Sequence, residues 1–101
     1  MDSHPHLTVP ARADLGDLAG FARLYRSTAG LVRSVLPRLG VRDAALDDAT
    51  QDVFIVAYRR RAEFDGERPV EPWLVGIARR VAFRYRRTAA RSQRKLAALA
   101  E

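Results

Sequence analysis

The stretch D-D-A-T-Q-D-V-F-I-V-A-Y-R-R-R, residues 47–61, decides how the rest of the chain is read. It holds neither proline nor glycine, opens on two aspartates and closes on three arginines. That polarity matches a helix macrodipole, which favours carboxylates near the first turn and cations near the last. Asp43, one turn upstream, is an expected N-cap, because its side chain can accept from an otherwise unpaired backbone N–H. At about 3.6 residues per turn, Leu46, Ala49, Val53, Val56, Ala57 and the stem of Arg60 form a stripe that faces a core. Asp48, Gln51, Asp52 and Ile55 fall at i, i+3, i+4 and i+7 on a second stripe. Two carboxylates, an amide and an isoleucine on one exposed stripe suit docking on a basic, partly apolar helix. The plainer alternative is a solvated acidic face, and this helix alone does not choose between them.

Upstream, helical periodicity begins near Asp17 with Leu18, Phe21, Ala22, Leu24 and Tyr25 as the apolar set. A second apolar set follows with Leu31, Val32, Val35, Leu36 and Leu39. Gly30 and Pro37 weaken that stretch, so a break is expected near residues 27–30 and an end by Gly40. Residues 1–16, with two prolines and no sustained period, are expected to be a flexible leader. His4 and His6 form an isolated H-x-H, which by itself is no metal site.

Downstream, residues 63–72 hold two prolines and a D-G dipeptide and predict an ordered loop. Phe64 and Val70 are its apolar pins. Pro72 suits the first turn of a last helix running to about Ala98, with Trp73, Leu74, Ile77, Ala78, Val81, Ala82 and Tyr85 on its core face. No stretch alternates like a strand and nothing repeats. The expected fold is all-α, a compact bundle of about four helices with an ordered loop before the last, long one.

With 101 residues the chain can bury one modest core. A composition 48% hydrophobic and 30% charged is that of a folded globular chain. There is no cysteine, hence no disulfide, thiol nucleophile or Cys-based zinc site. No apolar run approaches the roughly 18 residues of a membrane span, and the N-terminus lacks a signal-peptide pattern. The net charge is +6 and unevenly spread. Residues 42–71 carry eight acids against five bases, whereas residues 74–101 carry eight bases against one acid. An acidic middle and a basic end imply two different partners, the basic part being the footprint expected for nucleic acid.

Catalysis has little to stand on: no nucleophile motif, no Gly-rich phosphate loop and no histidine beyond His6. Asp47, Asp48 and Asp52 could approach a cation only with ligands from another element. No enzyme activity, metal or cofactor is expected. The last helix is more informative. Arg79, Arg80, Arg84, Arg86 and Arg87 place five arginines within nine residues, more than solubility requires. Trp73, Phe83 and Tyr85 interleave with them, and aromatic rings beside a cationic groove can hold unstacked bases. The alternative for Trp73 and Tyr85 is a core position.

Assembled, these residues resemble region 2 of bacterial sigma factors, specifically the extracytoplasmic-function (ECF) group of the sigma-70 family. F-A-R-L-Y-R at residues 21–26 is similar to the opening helix of that domain. D-D-A-T-Q-D-V-F-I-V-A-Y-R at residues 47–59 resembles its polymerase-binding helix. F-D-G-E, then W-L-V-G-I-A-R-R at residues 73–80, resembles the promoter-melting loop and the helix after it. The resemblance covers residues 17–91, and residues 92–101 resemble the start of an interdomain linker or a frayed helix end.

The resemblance implies a non-catalytic transcription initiation domain that binds core RNA polymerase through the β′ clamp coiled coil. Asp48, Gln51 and Asp52 would make that contact, with Asp47 and Ile55 beside them. It further implies recognition and melting of the −10 promoter element, with one base of the non-template strand flipped out. The loop at residues 65–71, including Arg68 and Val70, would form the pocket beside Trp73, while Arg79, Arg80, Arg84 and Arg87 would track the strand. An anti-sigma factor covering the acidic helix, a cytoplasmic, nucleoid-associated location and no membrane partner are implied in the same way. Two positions depart from the family pattern: Arg80 stands where asparagine is frequent and Arg84 where aspartate is frequent. Arginine prefers guanine or phosphate, so the base preference does not carry over. A sigma-like decoy that occupies an anti-sigma factor or the clamp without melting DNA is the other reading, although a decoy needs no strand-tracking face. A helix-turn-helix duplex binder lacks its short two-helix unit here.

Overall fold

Asp17 opens the first helix by accepting the Ala19 N–H on its Oδ1 at 3.0 Å, which satisfies one of the donors a helix start leaves unpaired. In this computed structural model, which describes residues 15–101, α1 spans Leu18–Arg38 without interruption. The break expected near Gly30 is absent. Leu24, Thr28, Val32 and Leu36 recur every fourth residue and are all at most 2% exposed. Burying that continuous face outweighs the roughly 1 kcal/mol that a mid-helix glycine costs, and Gly30 itself points to open space. Thr28 keeps its buried hydroxyl satisfied by donating to Leu24 O at 2.6 Å. Pro37 is tolerated because it falls in the last turn, where only one helical bond is lost.

The helix then ends in a Schellman motif. Gly40 N–H donates to Pro37 O at 3.0 Å and Val41 N–H to Leu36 O at 3.1 Å, with the accompanying apolar contact supplied by buried Leu36 and Val41. Gly40 has φ +96°, and a Cβ there would meet Arg86 Cδ at 2.6 Å. Arg86 needs that approach, since its Nη1 donates to Leu39 O at 2.8 Å and closes the end of α1. Gly40→Ala is therefore expected to cost about 1–2 kcal/mol from the left-handed backbone alone, read as a lower urea midpoint with an unchanged m-value.

A short 3-10 turn, Asp43–Ala45, leads into α2 at Leu46–Arg59. Asp43 thus opens the 3-10 turn and is not the side-chain cap of α2, whose N-cap position is Ala45 with no side-chain hydrogen bond. The expected core stripe of Leu46, Ala49, Val53 and Ala57 is buried, with Val56 and Arg60 half-buried. Thr50 and Phe54 are buried as well. The buried arc is wider than one stripe because α2 packs on both other helices. A second 3-10 turn, Arg61–Glu63, and the loop precede α3 at Val70–Ala100.

Three α-helices and no strand occur among the described residues, each helix packed on the other two. The chain is all-α, with one helix fewer than the apolar sets implied because α1 is continuous. Its core joins Leu24, Val32 and Leu36 to Val53, Leu74 and Val81. Ala49, Ala57, Ala78 and Ala82, all fully buried, let the helices approach closely. Leu15, inside the stretch read as a leader, is 3% exposed and belongs to this core. His4 and His6 lie outside the described residues. The distal turns of α3, from about residue 91, are exposed throughout and extend past the bundle. No described helix is long and apolar enough to cross a membrane.

Candidate functional site

The outer face of α2 carries the expected acidic stripe, but its members are not equivalent. Asp48 and Gln51 are exposed, and Ile55 is 46% exposed. Asp47 is ion-paired with Arg33 of α1. Asp52 is half-buried, and its Oδ2 accepts the Tyr85 hydroxyl of α3 at 2.6 Å. Burial first, and then the Asp52 carboxylate, pushes the Tyr85 phenol up to about 12. Because the folded pKa lies above the ordinary value of 10.0, the neutral phenol's contribution is complete below about pH 10. It is lost only as pH rises towards about 12.

Beside this stripe lies an apolar groove that the sequence reading missed. Leu18 (72% exposed), Tyr25 (43%), Ile55 and Tyr58 rim it. Phe21 and Phe54 form its floor, and the groove has a volume of about 470 Å³. Leu18 and Tyr25, members of the apolar set that marks α1, are surface residues of this groove. Tyr25 and Phe54 meet edge to face at 4.8 Å, and Phe21 and Tyr58 do so at 5.1 Å, which ties α1 to α2 through two favourable aromatic pairs. The available signal was Ile55 and Tyr58 on the polar side of α2.

On α3 the expected arginines separate into two groups. Arg79, Arg80, Arg84 and Arg87 are exposed, and no carboxylate pairs with them among the described residues. Arg86, which the arginine count had included, is instead committed to Leu39 O. Arg80 and Arg84 rim a second cleft of about 490 Å³ between α2 and α3, floored by Val56, Ile77 and Val81 with Phe83 at one side.

The loop is ordered by Asp65. Its Oδ1 accepts the Glu67 N–H at 2.9 Å, its carbonyl accepts the Arg68 N–H at 3.0 Å, and its Oδ2 pairs with Arg68 Nε at 3.3 Å. Phe64 packs on Trp73 with ring centroids 5.1 Å apart. Together with Asp65, Arg68, Pro69 and Pro72 these rings line an open cleft of about 490 Å³. Trp73 is half-buried, so one part of the indole joins the core and another faces the cleft. Val70 must be removed from the candidate binding residues. It is 2% exposed and serves as the apolar pin at the start of α3. Among the described residues no three His, Cys, Asp or Glu side chains converge as metal ligands.

The family model for sigma-70 region 2 matches residues 24–92. A curated relative, the RNA polymerase sigma factor NccH of Alcaligenes xylosoxydans xylosoxydans, is 32% identical over 66 residues, covering 65% of this chain and 36% of the relative. The chain therefore spans about a third of that relative's length. No solved structure matches significantly.

Proposed function

The chain belongs to the sigma-70 region 2 family, and we propose that it acts in transcription initiation by docking on RNA polymerase and opening −10 promoter DNA. The exposed part of α2, centred on Asp48, Gln51 and Ile55, meets the β′ clamp coiled coil, with the apolar groove extending the contact. The loop cleft between Phe64, Arg68 and Trp73 receives a flipped base of the non-template strand. Extraction of that base costs a few kcal/mol of pairing and stacking, and a loop already held by Asp65 lowers the ordering cost. Arg79, Arg80, Arg84 and Arg87 follow the phosphates. A regulator of the anti-sigma kind would act by covering the α2 face. The work done is binding and strand separation rather than catalysis.

The observation that carries this reading is the set of four exposed α3 arginines with no carboxylate partner among the described residues, on the same helix as Trp73 of the aromatic-lined cleft. Salt titration with an A/T-rich single-stranded DNA oligonucleotide tests it. Binding should weaken steeply with salt, because each neutralised phosphate releases counterions. The Arg80→Ala/Arg84→Ala variant should show a log–log slope shallower by about 1.4, two single-strand contacts at roughly 0.7 each. A slope identical to that of the original chain would remove these arginines from the DNA path.

A further inference from the structure

We infer that the α2–α3 cleft is a second nucleobase site for single-stranded DNA, in which the Phe83 ring stacks a base while Arg80, Arg84 and Arg87 hold its phosphates. The inference rests on the DNA-binding reading above but assigns a contact that the loop cleft does not provide.

Phe83 is 50% exposed on a helix whose other large apolar residues near it, Leu74, Ile77 and Val81, are buried. Half of its surface is open to solvent. Arg86 and Arg87 guanidinium carbons lie 5.7 and 5.6 Å from the ring centroid. Arg86 is held by Leu39 O, so Arg87 is the cation able to leave the ring for a phosphate. The adjoining cleft has the dimensions of a small-molecule site, about 490 Å³. Its apolar floor suits the flat face of a base and its cationic rim suits the charge that accompanies it.

Position along the helix supports a continuous strand. At about 100° per residue, Trp73, Arg80, Arg84 and Arg87 fall within an arc of roughly 60°, and Phe83 lies on its flank. Phe83 is about 15 Å beyond Trp73 along the axis at 1.5 Å per residue. That distance is roughly four nucleotides at the 3.4 Å duplex step and fewer when the strand is stretched. A duplex cannot use the ring, because both faces of each base are already stacked. The occupant is therefore single-stranded.

The test uses the full 101-residue chain and a set of labelled single-stranded oligonucleotides, each with one abasic site moved stepwise along the strand. The original chain should show two sensitive positions separated by two to four nucleotides. Phe83→Ala should bind the intact oligonucleotide about tenfold more weakly, within the range for loss of one base–aromatic stack, and should lose sensitivity at one position only. Phe83→Tyr, which keeps the ring, should restore both. Since Phe83 is half-exposed, its truncation leaves the core intact, and an unchanged urea midpoint confirms this. If Phe83→Ala matches the original chain on every oligonucleotide, the second site is refuted. A single sensitive position, lost in Trp73→Ala, refutes it while leaving the loop cleft standing. Absence of any salt-dependent binding overturns both.

Discussion

Leu74→Ala is expected to lower the unfolding free energy by about 3 kcal/mol, within the 2–5 kcal/mol seen for large-to-small changes at fully buried sites. Leu74 is 0% exposed and shares a cluster with Leu24, Val32 and Leu36 of α1 and Val53 of α2. Deleting its isobutyl group removes transfer free energy and also leaves a void. Helices already in contact through Ala49, Ala57, Ala78 and Ala82 cannot close further to fill it. Small domains have only about 5–15 kcal/mol in total, so the loss is a large fraction of stability. It should read as a drop in melting temperature of about 15 °C for a domain of this size. Leu99→Ala is the matched control, because Leu99 is 82% exposed and should change stability by less than about 0.5 kcal/mol. If Leu74→Ala stayed within 1 kcal/mol of the original chain, the described core would not be the one that holds the bundle.

The other large effect is expected on binding rather than folding. Asp48→Arg combined with Gln51→Ala should weaken binding to an isolated β′ clamp coiled coil by at least about 100-fold. Both side chains are exposed on α2, and among the described residues neither makes an internal hydrogen bond of the kind that holds Asp52 to Tyr85. The variant therefore changes the proposed docking face without breaking the α2–α3 contact. In the proposed docking, reversal places a cation against a basic partner, and like-charge juxtaposition at an interface costs several kcal/mol. Asp48 also lies in the first turn of α2, so an arginine there opposes the helix dipole, and a stability loss of about 1 kcal/mol should accompany it. Asp47→Ala provides the contrast. It breaks only an exposed ion pair with Arg33, a type of contact usually worth 0–1 kcal/mol, and should leave docking nearly intact. Undiminished binding by the double variant would remove the acidic face of α2 from the polymerase contact.

Much of this architecture was legible in local pattern. The stripe Leu46, Ala49, Val53 and Ala57 is buried as its period implies, and the proline-rich loop does separate α2 from α3. Other features were not legible for identifiable reasons. The continuity of α1 through Gly30 depends on tertiary burial of Thr28, Val32 and Leu36, which propensity does not record. Phe54 and Thr50 are buried because α2 has two helical neighbours, so a single-stripe reading undercounts its core. Leu18 and Tyr25 share the helical period of the core but line an open groove. Period alone cannot separate the edge of a buried face from its centre.

What the chain determines by itself is the helical class, the order of its charges along the helices and its kinship with sigma-70 region 2. These are properties of spacing and residue type, which act within one or two turns. Only the tertiary structure decides which of those charges are available. Arg84 and Arg86 are alike in sequence, yet one rims an open cleft and the other closes α1 through Leu39 O. Asp48 and Asp52 are one turn apart, yet only Asp52 meets a tyrosine 33 residues away. Whether a charge is free or committed depends on what the folded chain brings within about 3 Å of it. That is set by how three helices close on one another, a contact that no local pattern encodes.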